Sequence, residues 1–96
     1  MHSPAGSNER LKTLQRAMEF SPEEFIIDAY LTEARIQKNT TAELDALAAR
    51  VNFYYYPGER REAAIKAYIK AVKTHRITGK AALLAEKFAS KSKSTD

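Results

Sequence analysis

Residues 40–61 read TTAELDALAARVNFYYYPGERR, and this stretch decides the fold of the chain. Its apolar side chains recur every three or four residues, which is the spacing of one face of an α-helix. Thr40 followed by Glu43 has the capping-box pattern that begins a helix, and Pro57 disfavours a helical conformation in the residue before it. The stretch therefore predicts a helix from Thr40 to about Tyr56, with a shared buried face formed by Leu44, Leu47, Ala48, Val51 and Tyr55.

The same periodicity continues on both sides, and no segment alternates apolar and polar residues as a half-buried strand does. Upstream, Ser21 has the pattern of a helix cap, with Pro22 as the first helical residue and a helix that reaches about Lys38. A helix that starts near Ser7 or Asn8 precedes it.

Two helices are predicted downstream of the quoted stretch. The first runs from Pro57 or Glu59 to His75, because Ile65, Tyr68, Ile69 and Val72 repeat at helical spacing. The last runs from Gly79 to about Ser90, with Thr78 as its cap.

Five helices joined by short connections predict an all-α fold, a compact bundle of about five short to medium helices. The length of 96 residues fits one domain. We expect a flexible N-terminus over residues 1–7, a single helical domain over 8–90 and a flexible basic tail over 91–96. The predicted core contains Leu44, Leu47, Val51, Ile65, Ile69, Val72 and Leu84.

Composition argues against several functional classes. Cysteine is absent, which removes disulfides, thiolate metal ligands and cysteine nucleophiles, and fits the reducing cytoplasm. His2 and His75 have no neighbouring histidine or cysteine at metal-ligand spacing. Glu23 and Glu24 stand in the first turn of a predicted helix, where the helix dipole favours carboxylates. We therefore predict a nonenzymatic cytoplasmic protein with no catalytic residues, no metal and no cofactor.

No apolar run approaches the ~18 residues of a membrane span, so no membrane partner is expected.

Four consecutive aromatic residues, Phe53 to Tyr56, precede a Pro-Gly turn and two arginines. Successive helical side chains point about 100° apart, so the four rings cannot share one buried face. Tyr54 and Tyr55 continue the apolar stripe of their helix, whereas Phe53 and Tyr56 fall on its other side. Tyr and Arg are enriched in interaction hot spots, which predicts a protein-binding surface. Its candidate residues are Tyr54, Tyr56, Arg60, Arg61 and Leu83.

Two interpretations of this turn remain open. In the first, the chain is a protein-protein interaction module, an adaptor or regulatory subunit, whose partner presents an acidic or mixed surface. In the simpler one, the phenol of Tyr56 packs over the turn and the arginines are solvated.

The distribution of charge predicts an alternative function. The net charge is +4, and basic groups outnumber acidic groups ten to four in residues 57–96, whereas acidic groups outnumber basic ones eight to six in residues 1–56. A basic half attracts nucleic acid, although it is equally typical of a solvated surface. The alternative is a nucleic-acid-binding regulator that contacts phosphates through Lys66, Lys70, Lys73, Lys80, Lys87 and Lys91.

The predicted second helix is apolar on two sides. One apolar face includes Ile27 and Tyr30, and the other carries Phe25, Ala29 and Ile36. A helix that is apolar on two sides is usually packed on two sides. We therefore expect Phe25 and Ile36 to be covered, either by another helix of the chain or by a second copy in a homodimer.

Overall fold

The computed structural model describes residues 8–56 and 58–93, and within these ranges it has five α-helices and no strand, which confirms the all-α fold class. The expectation of a flexible N-terminus over residues 1–7 lies outside the described residues, as do residues 94–96 of the predicted tail. The helices are α1 (Asn8–Phe20), α2 (Glu24–Ile36), α3 (Thr40–Phe53), α4 (Glu59–Thr74) and α5 (Lys80–Lys93).

The helices pack in chain order, so that α1 contacts α2, α2 contacts α3, α3 contacts α4, and α4 contacts α5. Because the connections between them are short, consecutive helices run antiparallel. The Cα atoms extend over 50 × 27 × 17 Å. α3 therefore lies in the middle of the array, with its C-terminal end between α2 and α4.

The hydrophobic core follows the inner faces of α2, α3 and α4. Five of the predicted core residues are buried, and Ile69 and Leu84 are partly buried against them. Full burial of an aliphatic side chain of this size contributes about 1.5–3 kcal/mol. The most deeply buried large side chains are Tyr30, Ile27, Leu47, Ile65 and Val51.

Among the described residues, one charged side chain lies inside this core. Glu33 of α2 is only 2% exposed, and the Nε of Arg10 on α1 lies 3.0 Å from its Oε1. The side-chain amide of Gln37 donates to Oε2 at 3.0 Å. A buried carboxylate is costly unless it is paired and hydrogen-bonded, and these contacts meet that requirement. The Arg10–Glu33 pair fixes α1 against α2.

The start of α2 differs from the prediction. The amide of Ser21 donates to the carbonyl of Ala17 at 2.9 Å, so Ser21 still belongs to the end of α1. Glu23 has extended dihedral angles, and its carbonyl accepts the first helical hydrogen bonds of α2 without a side-chain cap. The prediction that Ser21 caps a helix beginning at Pro22 is therefore wrong, and α2 begins two residues later.

The start of α3 lies at the predicted residue but uses a different cap. The Oδ1 of Asn39 accepts a hydrogen bond from the amide of Ala42 at 3.1 Å. Glu43 pairs instead with the Nε of Arg35 at 3.4 Å and with the Nε2 of His75 at 3.2 Å. The capping box predicted from Thr40 and Glu43 is wrong, because Asn39 takes the cap and the Glu43 carboxylate joins the ends of α2 and α4.

The second apolar side of α2 is exposed. Phe25 is 68% exposed and Ile36 is 54% exposed. The expectation that another helix of this chain covers them is wrong for the described residues, because α1 and α3 both pack against the opposite side, which carries Ile27 and Leu31. The homodimer stays a prediction.

α5 extends to Lys93, past the predicted end at Ser90. The amide of Leu83 donates to the carbonyl of Gly79 at 3.1 Å, so Gly79 occupies the cap position that was predicted for Thr78. Gly79 has a φ of 86°, in the left-handed region that glycine adopts at no steric cost.

Candidate functional site

The aromatic segment leaves the helix earlier than its sequence predicts. α3 ends at Phe53, and Tyr54 is its C-cap with a ψ of 64°. Because the chain turns out of the helix here, Tyr55 does not continue the buried stripe, and it is 67% exposed. The prediction that α3 reaches Tyr56 and buries Tyr55 is therefore wrong.

Arg61 explains why the helix can end at this point. Its Nη1 donates to the carbonyl of Val51 at 2.9 Å and to the carbonyl of Tyr54 at 3.1 Å. The last carbonyls of a helix have no partner within the helix, and a cation is favoured beside them by the helix dipole. Arg61 of α4 thus fixes the C-terminal end of α3 and the first residue of the aromatic segment.

Tyr54 anchors the segment from the other side. Its hydroxyl donates to the carboxylate of Glu24 at the start of α2, and its ring meets that of Phe53 edge to face, with centroids 5.3 Å apart. The hydrogen bond to Glu24, partial burial and the negative charge of Glu24 raise the pKa of Tyr54. Tyr54 is therefore held between α2 and α3, and its side chain is only partly exposed.

Tyr55 and Tyr56 form the exposed part of the segment. Their rings are stacked, with centroids 4.5 Å apart and an interplanar angle of 29°. Tyr56 is 74% exposed, and the hydrogen bond between the two hydroxyls raises the pKa of Tyr55. The rings border a cleft of about 400 Å³, which we call the aromatic cleft; it is lined by Phe53, Tyr54, Tyr55, Tyr56, Gly58, Glu59, Arg60 and Arg61.

Arg60 joins this cleft to a second one. The second, called here the polar cleft, has a volume of about 260 Å³ and is lined by Arg60, Tyr54 and residues of α2, α3 and α4. Within it, Arg50 pairs with Asp28. Arg60 is exposed and forms no ion pair with another described residue. The surface around Arg60 thus combines aromatic rings with charges of both signs.

The structure divides the predicted contact residues into two groups. Tyr56 and Arg60 are exposed at the aromatic cleft, whereas Tyr54 and Arg61 hold the segment in place. Leu83 is 65% exposed on α5 but does not line either cleft. Tyr55 is the residue that sequence reasoning missed, because its exposure depends on where α3 ends.

The predicted phosphate contacts lie elsewhere. On α4, Lys66, Lys70 and Lys73 lie about 80–140° around the helix from Arg60, at 100° per residue. Five of the candidate lysines are exposed, and none of the five forms an ion pair with a carboxylate in the described part of the chain: Lys66, Lys70, Lys73, Lys80 and Lys87. The side chain of Lys91 lies outside those described.

A larger cleft of about 510 Å³ lies between α3, α4 and α5 and is mostly apolar. Its wall includes Asp45, whose pKa is raised by partial burial of the carboxyl group and by the neighbouring carboxylate of Glu19. Burial and the negative charge of Asp45 likewise raise the pKa of Tyr68 on the same wall. The Asp45 carboxylate thus lies beside an apolar surface, in a cleft that Lys80 also lines.

Among the described residues, no cluster of three or more histidine, aspartate and glutamate side chains is arranged to hold a metal ion. None of the described helices has the length and apolar character needed to cross a membrane. Comparisons with protein-family models, curated proteins and solved structures found no match to this chain.

Proposed function

We propose that this chain is a nonenzymatic protein-interaction module that binds a partner protein through Tyr55, Tyr56 and Arg60. The observation that carries the proposal is the stacked and exposed tyrosine pair at the aromatic cleft. Such rings provide a large apolar contact area at little cost in side-chain entropy, and each hydroxyl can still form hydrogen bonds. Arg60 adds a cationic group that can pair with a carboxylate of the partner.

Anchoring of the segment supports a binding role for its exposed end. Arg61 ties the backbone of Tyr54 to α4, and the Tyr54 hydroxyl is tied to Glu24 of α2. Tyr55 and Tyr56 therefore follow a residue that is fixed from two sides. A contact surface that is ordered before binding loses less conformational entropy when the partner arrives.

The charges around the tyrosines favour a protein over nucleic acid at this surface. Glu59 lines the aromatic cleft, and Glu24 and Asp28 line the adjoining polar cleft. A phosphate backbone that approached Arg60 would meet these carboxylates, whereas a protein surface of mixed charge can complement both signs. The partner is therefore expected to offer carboxylates to Arg60 and an apolar or aromatic side chain to the tyrosines.

Nucleic-acid binding is the competing function, because the exposed lysines of α4 and α5 form no ion pairs within the described residues. Photo-crosslinking in the native cell distinguishes protein binding from nucleic-acid binding. A benzophenone amino acid in place of Tyr56 is compared with the same group in place of Lys70, an exposed residue about 15 Å further along α4 than Arg60.

We expect one predominant protein adduct from residue 56 that is absent from residue 70. Nucleic acid captured at residue 70, with no specific adduct at residue 56, would contradict the proposal. In that case, nucleic-acid binding should weaken as the salt concentration rises. Each lysine removed should lower the slope of log K against log salt concentration by about 0.9 for a duplex and about 0.7 for a single strand.

A further inference from the structure

The exposed face of α2 carries a stripe of four residues, Phe25, Ala29, Thr32 and Ile36, which we call the α2 stripe. Their spacing of four, three and four residues places them on one face of the helix. Phe25, Thr32 and Ile36 are exposed and Ala29 is partly exposed. A phenyl ring and an isoleucine side chain left in water on one helix face are typical of a contact surface.

This stripe is symmetric about its own centre, because the spacing reads the same in both directions. When two copies of α2 pack antiparallel with Phe25 level with Ile36 of the second copy, Ala29 is level with Thr32. The large apolar residues then meet at the two ends, and the small residues in the middle allow close approach of the helices. Each contact occurs twice, as two-fold symmetry requires.

The charges at the ends of α2 favour the same arrangement. The N-terminal end carries Glu23 and Glu24, and the C-terminal end carries Arg35 and Lys38. An antiparallel pair therefore brings the acidic end of each copy beside the basic end of the other. Lys38 forms no ion pair with another described residue, and the Glu23 carboxylate accepts a 3.5 Å hydrogen bond from the Ser21 hydroxyl. A parallel arrangement would instead bring like charges together.

We propose that the α2 stripe is a self-association surface, at which two copies of this chain pack antiparallel around a two-fold axis between Ala29 and Thr32. α2 is about 20 Å long, and its face is smaller than the ~800 Å² per partner of a standard interface. The dimer is therefore weak, with a dissociation constant in the micromolar range or above. It would present two aromatic clefts, which strengthens binding to any partner that has two matching sites.

Sedimentation velocity of the full chain from about 10 to about 500 µM tests this surface over the range expected for a weak interface. The wild type shifts from monomer towards dimer, whereas Phe25→Glu stays monomeric. Leu83→Glu is the matched control, since it introduces the same charge at an exposed leucine of α5, and it still dimerises. Circular dichroism establishes that both variants are folded.

Single-cysteine variants test the register, because the chain contains no cysteine of its own. Thr32→Cys lies beside the proposed two-fold axis and is joined to its second copy by a short bismaleimide. Thr13→Cys, at an exposed position of α1, is the control and is not joined.

A wild type that stays monomeric over the whole concentration range overturns the proposal. So does a dimer that survives Phe25→Glu, or one that is lost with Leu83→Glu. Dimerisation that depends on Phe25, without crosslinking of the Thr32→Cys variant, overturns the antiparallel register.

Discussion

The Nη1 of Arg61 lies 2.9 Å from the carbonyl oxygen of Val51, and this contact joins the first turn of α4 to the last turn of α3. The same nitrogen reaches the carbonyl of Tyr54, three residues further along. Arg60, its neighbour in sequence, lines the two surface clefts instead. Two adjacent arginines therefore have different roles, since one holds the aromatic segment and the other is available to a partner.

Arg61→Ala leaves the last carbonyls of α3 without their charged donor. Hydrogen bonds to a charged group contribute about 1.5–3 kcal/mol, and we expect a loss of that order in the free energy of unfolding, measured by urea denaturation. Arg60→Ala is the matched control and changes stability by less than about 0.5 kcal/mol. Equal effects of the two substitutions would show that Arg61 does not fix the end of α3.

Asn39→Ala removes the side-chain cap of α3. The expected cost is about 1 kcal/mol in the free energy of unfolding, because the amide of Ala42 loses its acceptor. Thr40→Ala, at the neighbouring residue, serves as the control and costs less. A larger loss of stability for Thr40→Ala than for Asn39→Ala would show that Thr40 caps α3, as the sequence pattern indicates.

Leu47→Ala opens a cavity in the middle of the array. Leu47 is among the most deeply buried side chains, and the expected loss is about 2–5 kcal/mol in chemical denaturation. Leu83→Ala, the same change at an exposed leucine, alters stability by less than about 0.5 kcal/mol. A loss below about 1 kcal/mol for Leu47→Ala would mean that α3 buries a different face.

Asp45 gives a pH dependence with a definite sign. Partial burial and the Glu19 carboxylate raise the pKa of Asp45 above its ordinary value of 3.8, so the folded chain binds this proton more tightly than the unfolded chain does. The ionised carboxylate therefore lowers stability at neutral pH, and this penalty is relieved as the pH falls through the raised pKa.

Asp45→Asn should accordingly raise the free energy of unfolding at pH 7, with a gain that shrinks as the pH is lowered towards about 4. Asp28→Asn is the control, because Asp28 pairs with Arg50 and gains nothing from neutralisation. If the stability gain of Asp45→Asn grew as the pH fell, the pKa of Asp45 would not be raised in the folded chain.

Helical periodicity was sufficient to predict the five helices and most of the core. Leu44, Leu47 and Val51 recur on one face of α3, and this local pattern needs no knowledge of distant residues. The helix ends were predicted less well. Ser21 has the residue type of a cap, but its amide donates to Ala17 of the preceding helix.

The candidate site was predicted in part for the same reason. The cluster of tyrosines and arginines is visible in the sequence, whereas the exposure of Tyr55 follows from the end of α3 at Phe53. That end is fixed by Arg61 on the next helix and by the anchoring of Tyr54 on Glu24 of α2. Contacts between helices of this kind leave no periodic signal in the sequence.

Titration calorimetry with the protein captured at residue 56 tests the proposed interaction surface most directly. The affinity of that protein is measured for the wild-type chain and for three variants. Tyr56→Ala and Arg60→Ala should each weaken binding by about 2 kcal/mol, or roughly thirtyfold, as central contacts do. The triple variant of Lys66, Lys70 and Lys73 to alanine should bind nearly as well as the wild type, with a changed association rate and salt dependence. Loss of binding in the triple variant, with Tyr56→Ala and Arg60→Ala unaffected, would contradict the assignment of the surface to Tyr55, Tyr56 and Arg60.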